Sequence, residues 1–190
     1  MSSDIAGSGR PWWRRAFRLV ERTFAIVGLL CVIYLGCFNL SVISSGSMAP
    51  TLRGDSLYHG DTVLTERVSF WFRNPHRWEV VLFHDEFGVQ VMKRVVGLPG
   101  ETVALKDVNT MLINGRPVPF PQSLQGQKYY SFGFLANGAA AGCDDGYFVL
   151  GDDSRDSQDS RFTGPLKRDR IKGRAWLRVW PPSRMGFINP

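Results

Sequence analysis

Phe24 to Ile43 runs for twenty residues without a charge. At about 1.5 Å per residue, a helix of that length spans roughly 30 Å, one hydrocarbon thickness of a bilayer. No other stretch constrains the chain as much, because a run this apolar must be hidden from water on every side. Three readings compete. A cleaved signal peptide has a shorter apolar region followed by small residues, and Ser44-Ser45-Gly46 could pass for its cleavage site. A buried core helix is rarely apolar all round at this length. A retained anchor fits best, because residues 1–23 carry Arg10, Arg14, Arg15, Arg18 and Arg22 against only Asp4 and Glu21. Trp12 and Trp13 sit among those arginines, as at a membrane surface. This flank predicts a basic cytoplasmic segment over 1–23, a transmembrane helix over 24–43, and an extracytoplasmic remainder over 44–190 in the cell membrane. The net charge of +6 is weighted toward that flank, so no nucleic-acid partner is predicted.

Beyond the span, the apolar runs shorten and alternate. Thr62–Leu64, Val68–Phe72, Val80–Phe83, Val89–Met92, Val95–Val96, Thr102–Leu105, Met111–Ile113, Tyr147–Leu150 and Arg174–Trp180 read as strands. Asn114-Gly115 is a hairpin signal, and Leu98-Pro99-Gly100 is a second turn. The stretch 120–146 lacks periodicity and reads as a loop or insertion. The expected fold is mainly β, a compact multi-sheet or barrel-like domain after one N-terminal transmembrane helix. Val68–Phe72, flanked by Arg67 and Arg73, reads as core or as a segment that meets the bilayer surface, with a lean toward the bilayer.

The chemistry-bearing residues are few. Of three cysteines, Cys31 and Cys37 lie in the apolar run, which leaves Cys143 no partner within the globular part. It reads as a small core or loop residue. His59, His76 and His84 are scattered, and neither a metal site nor a cofactor is indicated. The run's end is different. Ser44-Ser45-Gly46-Ser47-Met48-Ala49-Pro50 crowds hydroxyls around a glycine and stops at a proline, a place to hold a nucleophile. A serine hydroxyl needs a base, and no histidine has the surroundings for one. The other solution is a neutral lysine. Lys93, within Val91-Met92-Lys93-Arg94-Val95-Val96, is placed in an apolar strand. Burial there would lower its pKa from about 10.4 toward roughly 7–8. Pairing with an acid is the common alternative for a strand lysine.

Ser45 to Leu52 resembles the nucleophile motif of the bacterial type I signal peptidases. Lys93-Arg94-Val95-Val96-Gly97-Leu98-Pro99-Gly100-Glu101 resembles their general-base motif, and Gly151 to Arg161 their third. The motifs occur in the family's order, behind an anchor. The resemblance implies a membrane-bound serine endopeptidase that cuts signal peptides from exported precursors. It implies Ser47 as nucleophile, Lys93 as base, and the Ser45 hydroxyl with the Ser47 N–H as oxyanion hole. It also implies that Ser157 orients the lysine, and that Asp159, Arg161 and Arg94 form an ion-pair cluster behind it. Where the family's third motif usually opens Gly-Asp-Asn-Arg, this chain has Gly151-Asp152-Asp153-Ser154-Arg155, with the arginine one place later. The competing functions are another Ser-Lys processing protease, of a secretion system or repressor-like, and a silent membrane-tethered domain that binds peptides.

Overall fold

The computed structural model describes residues 12–54 and 60–188. Pro11, the residues before it, and His59 therefore lie outside the described residues. Trp12–Cys37 form helix α1, 26 residues long. By length and composition it can cross a membrane.

The helix differs from the expected 24–43 at both ends. Phe38–Val42 leave it and form strand β1. Charge-free composition could not separate the two, but Asn39 and Ser41 alternate with Phe38, Leu40 and Val42, which is the period of a strand. The uncharged part of α1, residues 24–37, then reaches only about 21 Å. A full crossing must also use the turns that carry Arg18, Glu21 and Arg22, whose long stems can lift charge to the headgroups.

The remaining elements are β2 (Thr62–Glu66), α2 (Ser69–Phe72), β3 (Val80–His84), β4 (Gln90–Gly97), β5 (Thr102–Asp107), β6 (Thr110–Ile113), β7 (Arg116–Val118), β8 (Ala141–Gly142), β9 (Phe148–Leu150), α3 (Ser160–Thr163), β10 (Ile171–Trp180) and β11 (Gly186–Phe187). They build two antiparallel sheets. The larger runs β1-β2-β10-β3-β4-β9, with β11 against β10, and the smaller runs β7-β6-β5-β8. The protein is mainly β, as its patterning requires.

The larger sheet is strongly curled. Strands β1 and β4 stand four intervals apart in it, about 19 Å if it were flat. Yet the Ser41 hydroxyl on β1 donates to Gln90 Oε1 on β4 at 3.1 Å. Between these strands lies a cleft. One side of β4 contributes Met92 to a cluster with Ile43, Met48, Leu52, Val63 and Val80. Val95 joins Val81, Tyr147, Val149 and Ile171 instead. Lys93, which shares a face with Val91 and Val95, is thereby set among apolar side chains.

Asn114 and Gly115 both take positive φ, 51° and 75°, and join β6 to β7 with Ile113 opposite Arg116. That is the two-residue turn which matches the strand twist. The stretch 120–146, expected as a loop or insertion, is tied to the smaller sheet: Tyr129, Leu135 and Cys143 are buried in its core and β8 pairs with β5. Its periodicity is absent because isolated anchors, not continuous strands, tie it down. One expectation is corrected here: Val68–Phe72 is not a strand. Glu66 Oε2 accepts the Ser69 N–H at 2.8 Å, which holds the start of a single helical turn. Phe70 packs inward, whereas Trp71 and Phe72 are 61% and 84% exposed.

Candidate active site

The cleft has a volume of about 590 Å³, and Ser45, Ser47, Met48, Met92, Lys93 and Asp156 are among its lining residues. Ser47 sits in a 3-10 turn, Gly46–Met48. The Ala49 N–H closes it onto the Gly46 carbonyl at 2.8 Å. From the far side, the Asp153 N–H donates to the Ser47 carbonyl at 3.0 Å. The turn is therefore fixed both by its own backbone and by the third motif.

Lys93 Nζ donates to Ser47 Oγ at 2.6 Å. The lysine is 3% exposed. Burial lowers its pKa to about 8, while the carboxylates of Asp159 and Asp152 pull the other way. Desolvation wins because both carboxylates are already committed to arginines. Near neutral pH a useful fraction of this amine is uncharged and can accept a proton. The Ser45 hydroxyl lies 3.3 Å from Ser47 Oγ.

Two buried guanidinium–carboxylate pairs stand behind the lysine. Arg161 donates Nε and Nη2 to the two oxygens of Asp159, each at 2.8 Å. It also donates Nη1 to the Ser154 hydroxyl at 2.6 Å and to the Ser154 carbonyl at 2.9 Å. Arg94 donates Nε and Nη2 to Asp152 at 2.8 and 2.7 Å, and Nη1 to the Trp78 carbonyl at 2.6 Å. All four side chains are fully buried. Such pairs hold a desolvated carboxylate only when both forks are used.

Arg94 thus departs from the expected cluster, because its partner is Asp152 and not Asp159. Sequence reasoning missed Asp152. The sequence signalled only that an arginine beside a buried lysine in an apolar strand requires some carboxylate, not which one. Ser157 departs as well. Its hydroxyl donates to Asp159 Oδ2 at 2.7 Å, because a charged carboxylate is a stronger acceptor than an amine. Gly151 shows how tightly this wall is packed. A Cβ there would lie 2.2 Å from Ser157 Oγ and 2.5 Å from the Ser47 carbonyl, so only glycine lets the third motif close on the serine turn.

The displaced arginine of the third motif points elsewhere. Arg155 donates to the Tyr130 hydroxyl at 2.5 Å and lies over its ring. Burial pushes the Cys143 thiol up to about 11, so it is a core group. Among the described residues, no group of three or more His, Cys, Asp or Glu side chains could hold a metal ion.

The profile of the family described as signal peptidase, peptidase S26, matches residues 16–180. Signal peptidase I of Leptolyngbya laminosa is 34% identical over 177 residues, which cover 86% of this chain and 81% of that protein. Signal peptidase I of Bacillus caldolyticus is 29% identical over 175 residues, covering 86% and 91%. A solved signal peptidase I from Enterococcus faecalis superposes with a TM-score of 0.41 at 28% identity, over 54% of this chain and 97% of that one.

Proposed function

The chain belongs to the peptidase S26 family of signal peptidases, and on that premise we propose that Ser47 and Lys93 are its nucleophile and base. The enzyme is a serine endopeptidase that cleaves signal peptides from exported precursors. The observation that carries the assignment is the 2.6 Å contact between Ser47 Oγ and a buried lysine whose pKa is about 8.

The steps follow from that contact. Ser47 Oγ bonds to the scissile carbonyl carbon as its proton passes to Lys93 Nζ. The Ser47 N–H and the Ser45 hydroxyl receive the oxygen as it gains charge. Lys93 then gives the proton to the leaving amine as the C–N bond breaks. Water attacks the acyl-enzyme, Lys93 takes its proton, and Ser47 is released protonated. The Asp159–Arg161 and Arg94–Asp152 pairs hold the wall behind the lysine, and Ser157 acts through Asp159. A signal peptide lies extended in the cleft, where an added strand satisfies its backbone.

Helix α1 serves as the anchor, with the N-terminus cytoplasmic and residues 44–190 outside. The arginines of its first turns support this orientation. The exposed Trp71 and Phe72 are suited to the headgroup region. Labelling of intact cells should find residues 1–11 protected from an outside reagent and the domain accessible. The reverse pattern would overturn the orientation.

The test of function is cleavage of an exported precursor by the full chain in detergent, with the cut site read by sequencing. Because only the neutral amine can act as base, activity should climb with pH through a midpoint near the lysine's value of about 8. At pH 6 it should stand at about one hundredth of its plateau. A profile flat from pH 6 to 9 would rule out Lys93 as the base, and absence of cleavage at the signal junction would sink the substrate assignment.

A further inference from the structure

The C-terminal residues carry a group that the mechanism above does not use. Arg178, on β10, donates Nη1 to the Thr51 carbonyl at 2.8 Å and Nε to the Arg184 carbonyl. Arg184, in the turn Pro182–Arg184, donates Nη2 to the carbonyls of Pro50 at 3.1 Å and Thr51 at 3.3 Å. Its other nitrogen, Nη1, reaches Asp61 Oδ1 at 2.9 Å. Asp61 is 2% exposed and gathers three segments of chain. Its Oδ2 accepts the Arg53 N–H at 2.8 Å, its carbonyl accepts the Ile43 N–H at 2.8 Å, and its own N–H donates to the Arg53 carbonyl at 2.8 Å.

These bonds bracket the serine turn. Ile43 precedes it, Pro50, Thr51 and Arg53 follow it, and each is bound by Asp61 or by the two arginines. The packing leaves no slack. A Cβ on Gly54 would lie 2.3 Å from the Ile43 carbonyl and 2.8 Å from the Ser45 nitrogen. On the other side, Arg94 Nη2 contacts the Thr51 hydroxyl at 3.3 Å. The turn is thus held by one contact from Arg94 of the lysine strand, by one bond from Arg178 and by Arg184 on two carbonyls.

We propose that Arg184, together with Arg178 and Asp61, forms a positioning clamp that sets where Ser47 Oγ meets Lys93. This rests on the reading of Ser47 and Lys93 as nucleophile and base. A purely stabilising cluster would make a different demand. It would need the carboxylate matched, but it would not need guanidinium forks on two successive carbonyls of the segment that leaves the nucleophile. Those carbonyls fix the exit direction of the turn, and a displacement of about 1 Å at a nucleophile costs on the order of 100-fold in rate.

The test compares R184A with R174A in the full chain. Arg174 forms a comparable half-buried pair with Glu66 at 2.9 Å in the same sheet, but it touches no part of the turn. Precursor cleavage is measured well below either variant's Tm. R184A should lower kcat roughly 10- to 100-fold with KM nearly unchanged. R174A should lower Tm yet keep kcat. R184K can meet Asp61 or a carbonyl but cannot fork both, so it should recover Tm more fully than kcat. Wild-type kcat in R184A would overturn the clamp, as would equal losses of kcat in R184A and R174A. If R184A does not fold, wild-type kcat in a folded R184K overturns it. Failure of the serine–lysine reading shows separately, as a Ser47→Ala variant that still cuts.

Discussion

Lys93→Met should abolish precursor cleavage and, at neutral pH, make the protein more stable. The activity loss follows from the base. Without it the Ser47 hydroxyl keeps its proton, and loss of one member of such a pair costs about 10⁴- to 10⁶-fold. The gain in stability follows from the same burial. In the unfolded chain a lysine titrates near 10.4, whereas Lys93 in the fold titrates at about 8. Below pH 8 both states carry the proton, and folding bears the full cost of burying it, on the order of 3 kcal/mol. Between pH 8 and about 10.4 the folded lysine is neutral and the unfolded one is not, so that cost fades as pH rises. Methionine fills nearly the same volume without charge and forgoes one hydrogen bond, worth about 1 kcal/mol. The expected net gain at pH 7 is about 2 kcal/mol, a rise of several degrees in Tm for a domain of this size. Thermal unfolding at pH 7 and pH 10 checks it. The Met variant should lead clearly at pH 7 and hardly at all at pH 10. A variant less stable than wild type at pH 7 would contradict the buried, charge-averse environment.

Asp159→Ala is the most damaging single change expected. The carboxylate receives both forks of Arg161, the Ser157 hydroxyl and the Gly151 N–H. Its removal leaves a fully buried guanidinium without its carboxylate, held only by the neutral acceptors of Ser154 and Tyr130. Breaking a buried pair from one side costs about 3–5 kcal/mol, or roughly 10 °C in Tm here. Replacing Asp159 and Arg161 together with apolar residues of similar volume should be milder, because no charge is then stranded. Denaturant titration of the single and double variants separates the cases. Asp159→Asn adds a second readout. Among the charges near Lys93, Asp159 contributes the largest upward pull on its pKa. Neutralising it should therefore shift the acid limb of activity below pH 8 in whatever fraction remains folded. An unmoved limb would show that the pair acts on shape alone.

What the sequence made legible was what local pattern controls. Period-two runs located most strands, and Asn114-Gly115 located a hairpin, because both depend on neighbours a few residues apart. Lys93 could be picked out because an ionisable residue in an apolar strand is costly wherever the strand goes. Long-range pairing was less visible. Whether Arg94 meets Asp159 or Asp152 is decided by how β4 and β9 align, with Arg94 opposite Leu150, and no spacing encodes that. The helix end was misjudged for a similar reason. Phe38–Val42 become a strand because β2 lies alongside them from Phe38↔Glu66 to Val42↔Thr62, and an uncharged run does not announce such a partner. The bonds of Arg178 and Arg184 cross more than 120 residues of chain and were not anticipated.

The place of β10 has a consequence for when this protease becomes active. It is the last long strand to be synthesised, yet it lies in the sheet between β2 and β3. The two parts of the sheet that carry Ser47 and Lys93 are therefore joined only once residues 171–180 have emerged. The partner strands that β10 bridges lie roughly a hundred residues upstream, so closure is a late step with a large loop entropy to overcome. A chain that still lacks residues 171–180 holds Ser47 and Lys93 without the strand that joins their two parts of the sheet. The order of synthesis thus delays the meeting of hydroxyl and amine.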